Sequence, residues 1–334
     1  MKKIGKRTIE FDTPPSILSS AGVAGPKESE GPLSKEFDRV FSDSMIGQDS
    51  WEKAESYLQK KAVELALTKL RLKESDVTYI FAGDLLNQCT ASSFGLREMN
   101  IPLIGVYGAC STMALSLINA SVYAESIDNS INVAVTSSHF CSAERQYRFP
   151  LEYGGVRPPT SQWTVTGSGA AVVGYDDVSP KISAFTVGKI VDMGITDANN
   201  MGAAMAPAAA DTIKSFLEDT GTKPSDYDMI YTGDLGVVGT ELLYKLLNSE
   251  GIDISSNHKD CGLMIYDRER QDVHSGGSGC GCSASVLCSH ILKELRNRKL
   301  NNILFCATGA LLSPTTTQQG ESIPCIAHLV NIKN

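Results

Sequence analysis

The segment GVYGACST, residues 105–112, joins a predicted strand to a predicted helix, and the rest of the chain is best interpreted around it. It overlaps a short apolar run at 102–106 and leads into a helical pattern over 111–127. Cys110 therefore lies where a strand turns into a helix N-terminus. Unpaired backbone N–H groups and the helix dipole at such a position lower the pKa of a thiol. The position favours a functional cysteine over a merely buried one.

The order of elements around this segment occurs twice along the chain. YIFAGDLL at 79–86 returns as IYTGDLGV at 230–237, and GACSTMAL at 108–115 is matched by GCGCSASV at 279–286. Each pair places the same element type in the same order, which predicts two similar halves, residues 1–175 and 176–334. The second half is longer by roughly twenty residues near 248–277, and an insertion of that length in a duplicated fold is often functional.

The remaining pattern alternates strands and helices. Predicted strands lie at 77–82, 102–106, 131–136, 169–175 and 181–190, and predicted helices at 91–99, 111–127 and 203–217. A further amphipathic helix ends at Leu70, and Asp49 followed by Glu52 resembles a capping box at its start. Residues 1–48 are rich in Gly, Pro and Ser, which predicts one strand and a long surface loop. This alternation predicts an α/β protein with a parallel sheet.

Composition excludes several classes of protein. The 334 residues carry a net charge of -8, which would repel a nucleic-acid backbone. No apolar run is long enough for a membrane span, and the basic N-terminus lacks the apolar stretch of a signal peptide. The 9 cysteines are an odd number without regular spacing, which favours a reducing compartment over a disulfide framework.

A zinc site is an alternative use of four of these side chains. His258 and Cys261 are followed by Cys280 and Cys282, which together could supply nitrogen and sulfur ligands. Neither pair has the usual finger spacing, so we do not favour this interpretation and leave the metal undefined.

On these residues the chain resembles the thiolase superfamily, most closely its ketoacyl synthase III branch, in which a nucleophilic cysteine begins the central helix of the first half. Cys110 in GVYGACST matches that position. GSGAAVVGYDD at 167–177 resembles the Gly-rich middle strand of the family, and CATGALLSP at 306–314 resembles its C-terminal glycine-bearing loop. The resemblance spans nearly the whole chain. It implies a thiolase-like α/β fold with two pseudo-symmetric βαβαβ-type halves stacked as αβαβα layers.

The resemblance fails at the partners of the cysteine. Enzymes of that branch use a histidine and a second histidine or asparagine to bind the thioester oxygen and assist proton transfer. At the first position this chain has Gly233 or Asp234, and an aspartate would repel an oxyanion. At the second it has Cys280, whose thiol is a poor hydrogen-bond donor. His274 or His139 would have to replace a missing partner.

This combination of a retained cysteine and absent partners resembles the stage V sporulation protein AD family of spore-forming bacteria. The segments that carry the resemblance are TGDLG, HSGGSGCGCSAS and CATGALLSP. That resemblance implies binding of dipicolinic acid and a role in its uptake into developing spores and its release at germination. It implies as partners the membrane proteins of the same spore dipicolinate channel complex. It also implies a peripheral location at the spore inner membrane, and the thiolase fold implies a homodimer.

Dipicolinate carries two carboxylates, and two helix N-termini, after Cys110 and after Cys282, would meet at a central pocket. The residues that we expect around such a ligand are Cys110, Ser111, Thr112, Asp84, Asp234, Arg148, His274, Cys280, Ser283 and Ser313. Hydroxyls and backbone amides would bind the carboxylates, and Arg148 could do so bidentately or face solvent. No cofactor is expected, but Asp84 and Asp234 could receive a calcium ion accompanying the ligand, or could simply cap helices.

Three functions remain open from the sequence. The first is a catalytically silent dipicolinate-binding protein. The second is an active acyltransferase in which Cys110 is acylated from a thioester. The third is a structural subunit that docks on membrane proteins through the N-terminal loop or the insertion.

Overall fold

The computed structural model describes residues 1–147 and 157–334. The described strands are β1 Lys2–Ile4, β2 Thr8–Glu10, β3 Ser16–Ala24, β4 Arg39–Val40, β5 Tyr79–Gly83, β6 Leu103–Gly105, β7 Asn132–Ser138, β8 Trp163–Thr164, β9 Gly167–Gly174, β10 Lys181–Thr186, β11 Met229–Thr232, β12 His258–Asp260, β13 Gly277–Ser278, β14 Asn302–Ala310 and β15 Cys325–Lys333. The described helices are α1 Trp51–Leu70, α2 Thr90–Leu96, α3 Thr112–Ser126, α4 Phe140–Tyr147, α5 Met201–Thr220, α6 Gly236–Ser249, α7 Cys261–Met264, α8 Cys280–Val286, α9 Leu292–Arg296 and α10 Pro314–Gln318. A π-helical turn, Leu287–Ile291, joins α8 to α9.

Two sets of five strands have the same order and the same directions. The first set runs β6-β5-β7-β9-β3 and the second runs β12-β11-β14-β15-β10. In each set the first three strands are parallel to one another, the fourth is antiparallel to the third, and the fifth is antiparallel to the fourth. The fold is therefore duplicated as the repeated motifs indicate. The predicted parallel sheet is wrong for the Gly-rich strand β9 and for β15, because β9 pairs antiparallel with β7 and β3, and β15 pairs antiparallel with β14 and β10.

Alternating side chains divide the molecule into layers. On β7, Val133 and Val135 pack with α1, whereas Ala134 faces the central core shared with α3, α8 and α9. On β14, Leu304 and Cys306 pack with α5 and α6, and Phe305 faces the central core. The two sets, which are joined into one sheet where β3 pairs with β10, thus enclose a central helical layer and carry a helical layer on each outer face. This is the αβαβα arrangement of a thiolase-like fold.

The first 48 residues contribute more to the core than predicted. β3 is the innermost strand of the first set and pairs with β9 along its length. Leu33, Phe37 and Phe41 of the following loop are buried, so that segment is packed rather than a free surface loop. β1 and β2 form a hairpin that joins the sheet of the second half at β10.

Helix α1 begins one residue later than the predicted cap. Ser50 is the N-cap, and its hydroxyl accepts from the backbone N–H of Lys53 at 3.3 Å. Asp49 instead forms an exposed ion pair with the Lys53 ammonium at 2.8 Å. Within the described residues, no helix combines the length and the apolar character that crossing a membrane requires.

Candidate functional site

Equivalent loops of the two halves meet at one place. Cys110 lies between β6 and α3, Asp234 lies between β11 and α6, and Cys280 is the first residue of α8. Burial and the negative charge of the Asp234 carboxylate raise the pKa of the Cys110 thiol. The same carboxylate accepts from the backbone N–H of Gly279 at 2.9 Å, directly before Cys280, so Asp234 acts on the loops of both cysteines.

Asp234 is fully buried and its oxygens are used internally. Oδ1 accepts from the Thr308 hydroxyl at 2.7 Å, and Oδ2 accepts from the Ser278 hydroxyl at 3.3 Å. Burial raises the pKa of Asp234, while the Cys110 thiol and these hydrogen bonds oppose the rise. Burial, the Asp234 charge and the nearby Cys280 raise the pKa of the Cys110 thiol well above its usual value. The arrangement keeps Cys110 protonated instead of activating it.

The turn that holds Cys110 is packed against the C-terminal glycine loop. A Cβ on Gly309 would lie 2.3 Å from the Gly108 carbonyl oxygen and 3.2 Å from the Cys110 backbone nitrogen. Ala109 adopts a positive φ of 49°, which is uncommon for a residue with a side chain. Only glycine at position 309 allows the two backbones to approach this closely.

A pocket opens above the thiol. It is lined by Leu85, Ala109, Cys110, Ala143, Glu144, Tyr147, Thr164, Ala198, Met201, Ser278, Ala310 and Leu312. The walls are mostly apolar, with a few hydroxyl and carboxylate groups, as in typical small-molecule sites. Both halves contribute, so the pocket lies between them.

The polar groups of the pocket are concentrated on α4 and its surroundings. Glu144 forms an ion pair with Arg157 at 3.2 Å, and both side chains are largely buried. The Tyr147 hydroxyl donates to the Leu85 carbonyl oxygen. Burial raises the pKa of Tyr147, so this side chain stays neutral.

The first Gly-Asp-Leu aspartate has a local structural role. Asp84 is fully buried, and its carboxylate accepts from the Ser92 backbone N–H at 2.8 Å and the Ser92 hydroxyl at 2.6 Å in the first turn of α2. Oδ1 accepts from the Leu86 N–H at 2.9 Å. The helix-capping interpretation therefore describes Asp84. Burial raises the pKa of Asp84, and burial together with the Asp84 charge raises the pKa of the neighbouring Glu55 on α1.

Strand β12, the counterpart of β6 and thus not part of an insertion, supports the second Gly-Asp-Leu turn. Asp260, at the end of β12, accepts from the backbone N–H groups of Leu235 at 2.8 Å and Gly236 at 3.0 Å, and from the Thr232 hydroxyl at 2.7 Å. Burial raises the pKa of Asp260 to about 7. The carboxylate thereby holds the residues that precede α6 and fixes the direction of Asp234.

The alternative zinc ligands do not converge. His258 shares hydrogen bonds with the Thr232 hydroxyl and the Tyr244 hydroxyl, each at 2.9 Å. Burial lowers the pKa of His258 to about 4, so it is neutral. Among residues 1–147 and 157–334, no three His, Cys, Asp or Glu side chains are grouped so that they could hold a metal ion.

The predicted hydroxyl ligands mostly serve their own turns. Ser111 donates to the Gly108 carbonyl at 2.6 Å, Thr112 to the Ala109 carbonyl at 2.5 Å, and Ser283 to the Cys280 carbonyl at 3.4 Å. None of the three lines the pocket. Ser313 caps α10 by accepting from the Thr316 N–H at 3.1 Å, and it lines a neighbouring depression formed with Tyr107 and Tyr147.

The remaining predicted residues divide between the site and other places. Cys280 is buried beside Cys110, and its thiol donates to the Ser137 carbonyl at 3.0 Å. His274 faces solvent and pairs with Asp272 at 3.4 Å, away from the pocket lining. His139 is buried with Nε2 2.7 Å from the Ser44 carbonyl oxygen. Arg148 lies outside the described residues.

Sequence reasoning missed several pocket residues. Leu85, Ser278 and Leu312 stand within motifs that we singled out, so their proximity to the site could have been inferred from those motifs. Glu144 and Tyr147 lie on α4, where no pattern distinguished them.

Comparison with known proteins agrees with this architecture. A family model described as stage V sporulation protein AD matches residues 5–333. Stage V sporulation protein AD of Bacillus subtilis (strain 168) is 47% identical over 328 residues, which cover 98% of this chain and 97% of that protein.

Solved structures with the same fold include several condensing enzymes. A variant of OleA from Xanthomonas campestris matches with a TM-score of 0.61 and 13% identity, over 98% of this chain and 100% of that chain. The 3-oxoacyl-acyl-carrier-protein synthase III of Aquifex aeolicus VF5 gives 0.58 and 11%, over 96% and 100%. Human mitochondrial 3-ketoacyl-CoA thiolase gives 0.56 and 12%, over 96% and 99%. At such identities the likeness shows the fold alone, whereas the family model and the Bacillus relative show that this chain belongs to the stage V sporulation protein AD family.

Proposed function

We propose that this protein is a non-catalytic receptor for dipicolinate that uses the pocket above Cys110. The observation that carries the proposal is that the Cys110 thiol is buried beside the carboxylate of Asp234, and that burial and this carboxylate both raise the pKa of the thiol. A nucleophilic cysteine acts as its thiolate, and this carboxylate favours the thiol. The pocket is retained, whereas the reactivity of the cysteine at its base is suppressed.

The residues at the positions of the enzyme partners support the same conclusion. Asp234 would place negative charge where an acyl-transfer enzyme must stabilise an oxyanion. Cys280 has its thiol directed to the Ser137 carbonyl. His274 and His139, the two histidines considered as substitutes, are engaged elsewhere.

The pocket is suited to a small planar ligand with polar ends. Its apolar walls, including Met201 and Leu312, can pack against a pyridine ring. The Thr164 hydroxyl lines the same space and can donate to a carboxylate. Arg157, paired with Glu144, supplies positive charge beside the pocket.

Calcium is proposed to enter with the ligand rather than to occupy a site of its own. Asp84 and Asp234 already accept internal hydrogen bonds, which argues against either as a calcium ligand. Glu144 lines the pocket and carries the kind of oxygen group that calcium prefers, and binding the metal would require it to exchange its ion pair with Arg157. A dipicolinate-bound calcium would also reduce the charge brought near Asp234.

We further propose that the protein works in the spore at the inner membrane, bound to membrane proteins of the same dipicolinate channel complex, and that it is a homodimer. The exposed edge of β6 supports the dimer. Pro102 and Val106 bond to β5, so the backbone of the alternating residues Leu103 and Gly105 faces outward. The Leu103 side chain is 41% exposed. An edge of this kind is a template for pairing with a second copy.

Mass spectrometry distinguishes the rival function, acyl transfer by Cys110, from the receptor function. The purified protein is incubated with acetyl-CoA and with a long-chain acyl-CoA, and its intact mass is measured. The receptor function predicts an unchanged mass. A stable acyl adduct on Cys110 would support the enzyme.

Ligand occupancy of the pocket is tested by alkylation of Cys110 with iodoacetamide, with and without dipicolinate. Saturating dipicolinate should slow the alkylation of Cys110 by about tenfold or more, because the ligand covers the thiol. Cys141, which is partly exposed and does not line the pocket, serves as the internal control. Equal slowing at both cysteines, or none, would argue against binding in this pocket.

A further inference from the structure

Two neighbouring carboxyl groups are buried in the first half of the molecule. Glu55 on α1 and Asp84, directly after β5, are almost completely shielded from solvent. Burial raises the pKa of both groups, and the Asp84 charge adds to the rise at Glu55. The charges that act most strongly on Glu55 are those of Asp84 and Glu52, and both are negative. Two buried carboxyls of this kind hold one negative charge and one proton between them.

The hydrogen bonds assign the charge to Asp84 and the proton to Glu55. Asp84 accepts from the backbone N–H of Ser92 at 2.8 Å and from the Ser92 hydroxyl at 2.6 Å. A backbone N–H can only donate, so it requires an acceptor oxygen on Asp84. The groups that donate to Glu55 are the hydroxyls of Ser142 at 2.6 Å and Ser137 at 3.3 Å, and a hydroxyl can also accept. The surroundings of Glu55 therefore suit a protonated carboxyl.

Gln59, one helical turn after Glu55, provides an acceptor for this proton. Its Nε2 group donates to the Gly83 carbonyl at 3.1 Å and to the Ser137 hydroxyl at 3.2 Å, which fixes the orientation of the amide. Within the described part of the chain, its Oε1 atom is buried and accepts no hydrogen bond. Side chains four residues apart on a helix are neighbours. A protonated Glu55 would supply the donor that Gln59 lacks, whereas an ionised Glu55 would leave the amide oxygen unpaired.

The two carboxyls are connected to the walls of the Cys110 pocket. Ser142, which donates to Glu55, directly precedes residues 143–144 of the pocket lining. Asp84 directly precedes Leu85, which forms another part of the lining. The position of both walls therefore depends on hydrogen bonds made by this pair.

A second connection leads to the base of the pocket. Ser137 donates its hydroxyl to Glu55, and its carbonyl accepts from the Cys280 thiol at 3.0 Å. Cys280 in turn packs against Cys110. Burial raises the pKa of the Cys280 thiol, and the charge of Glu55 adds to this rise. A charge on Glu55 thus acts on the base of the pocket, and buried surroundings screen it weakly.

The other titratable groups around the pair are paired, hydrogen bonded or neutral. Glu52 and Glu144 form ion pairs with Arg145 and Arg157, respectively. From the second half, Asp234 acts on the Cys280 thiol and, like Asp84, accepts from a backbone N–H. Burial raises the pKa of the nearby thiols and lowers that of the nearby histidine, which leaves three neutral side chains, Cys89, Cys280 and His139. Glu55 is therefore the group of this cluster whose charge changes.

We propose that Glu55 is a proton-binding site linked to the Cys110 pocket, so that the pocket binds an anionic ligand tightly while Glu55 is protonated and more weakly once it is ionised. This inference rests on the proposed dipicolinate function, because it concerns the same pocket. Ionised Glu55 places a negative charge behind the pocket and disturbs the hydrogen bonds of Ser142 and Gln59. Linkage is reciprocal, so the bound dianion favours protonated Glu55 and binding takes up protons from solution.

The test is calorimetric titration of the full chain with dipicolinate, without calcium, between about pH 6 and about pH 9, where both ligand carboxyls are ionised. Wild type should bind about tenfold more weakly at the upper limit than at the lower one. Glu55→Gln is neutral at every pH and can donate to Gln59, so its affinity should stay near that of wild type at the lower limit. Glu64→Gln, a partly exposed position of the same helix, is the matched control and should keep the wild-type profile.

The same titrations in buffers of different ionisation enthalpy count the protons taken up with each ligand. Wild type should take up a fraction of one proton in the middle of the pH range, and Glu55→Gln should take up fewer. A merely structural role of Glu55 would leave this number unchanged.

Melting temperatures test which of the two carboxyls carries the proton. Glu55→Gln should melt close to wild type, because its amide reproduces the donor and the acceptor of a protonated carboxyl. Asp84→Asn should melt at a lower temperature, because its NH₂ group would face the N–H groups that Asp84 now accepts. The opposite order would assign the proton to Asp84 and overturn the proposal.

The binding experiments separate this proposal from the function on which it rests. Saturable binding in wild type without pH dependence, or an unchanged pH profile and proton uptake in Glu55→Gln, would overturn the proton site and leave the dipicolinate function intact. Absence of binding in wild type at every pH would remove the dipicolinate function and the proton site with it.

Discussion

The pair formed by Cys110 and Asp234 has opposite effects on its two members. The carboxylate raises the pKa of the thiol, whereas the thiol opposes the rise that burial causes in the pKa of the carboxylate. In an acyl-transfer enzyme the neighbour of the cysteine favours the thiolate. Here burial and the carboxylate together favour the thiol.

Replacing Asp234 with asparagine should make Cys110 more reactive. The change removes a negative charge and an acceptor that favours the thiol, so the thiol pKa falls. A fall of about one unit would speed alkylation at fixed pH about tenfold. The rate is measured by mass spectrometry, with Cys141 as the internal control. An unchanged rate at Cys110 would show that Asp234 does not control the thiol.

Replacing Gly309 with alanine should displace the Cys110 turn. The new Cβ would lie 2.3 Å from the Gly108 carbonyl oxygen, so one backbone must move. We expect a loss of about 1–3 kcal/mol in the free energy of unfolding and weaker dipicolinate binding. Gly105→Ala is the matched control, since a Cβ there meets no atom within 4 Å. Equal effects of the two changes would contradict the proposed contact.

At the scale of elements, the periodicity of apolar residues predicted helices and strands whose limits depend on neighbouring residues. Helix α3, expected over 111–127, is Thr112–Ser126, and the strand expected at 131–136 is β7, Asn132–Ser138. The antiparallel direction of β9 and β15 was not predicted, because the direction of a strand depends on the distant strands with which it pairs. A local sequence pattern does not show those partners. The burial of the first 48 residues was missed for a similar reason, since β3 is enclosed by distant segments.

The turn before α6 should give the protein a measurable pH dependence. Burial raises the pKa of Asp260 to about 7, above the value of about 4 in an unfolded chain. The native state therefore binds this proton more tightly, and its stabilising contribution is lost as pH rises from about 4 through about 7.

Denaturant unfolding of wild type and Asp260→Asn at several pH values measures this contribution. The asparagine variant should lose less stability across that range, by at most about 1.4 kcal/mol per pH unit. The variant is also expected to be less stable at low pH, because an amide cannot accept all three hydrogen bonds that Asp260 receives. Parallel pH profiles for the two proteins would contradict the assignment.

At the scale of the whole molecule, the resemblance to the thiolase superfamily placed Asp234 and Cys280 at the positions of the partners of Cys110. The structure packs Cys110 against Cys280 and bonds Asp234 to the backbone N–H of the neighbouring Gly279. The sequence did not reveal that Ser111, Thr112 and Ser283 would be used by their own turns, because backbone acceptors compete with any ligand for a hydroxyl. Nor did it identify α4 as a pocket wall.

The proposed homodimer is tested at the edge of β6. Leu103→Pro removes a backbone N–H that faces outward while leaving the β5 hydrogen bonds of residues 102 and 106 in place. Light scattering should give twice the chain mass of 35.8 kDa for wild type and a lower mass for the variant. A wild-type mass equal to one chain would remove the dimer.

The most direct test of the central claim is calorimetric titration of the purified protein with dipicolinate, with and without calcium. Wild type is compared with Ala198→Trp, which fills the pocket from its partly exposed wall, and with Ala198→Ser as the control. We predict saturable binding in wild type and in the serine variant, and its loss in the tryptophan variant. Absence of binding in wild type, or undiminished binding in the tryptophan variant, would contradict a dipicolinate receptor built on this pocket.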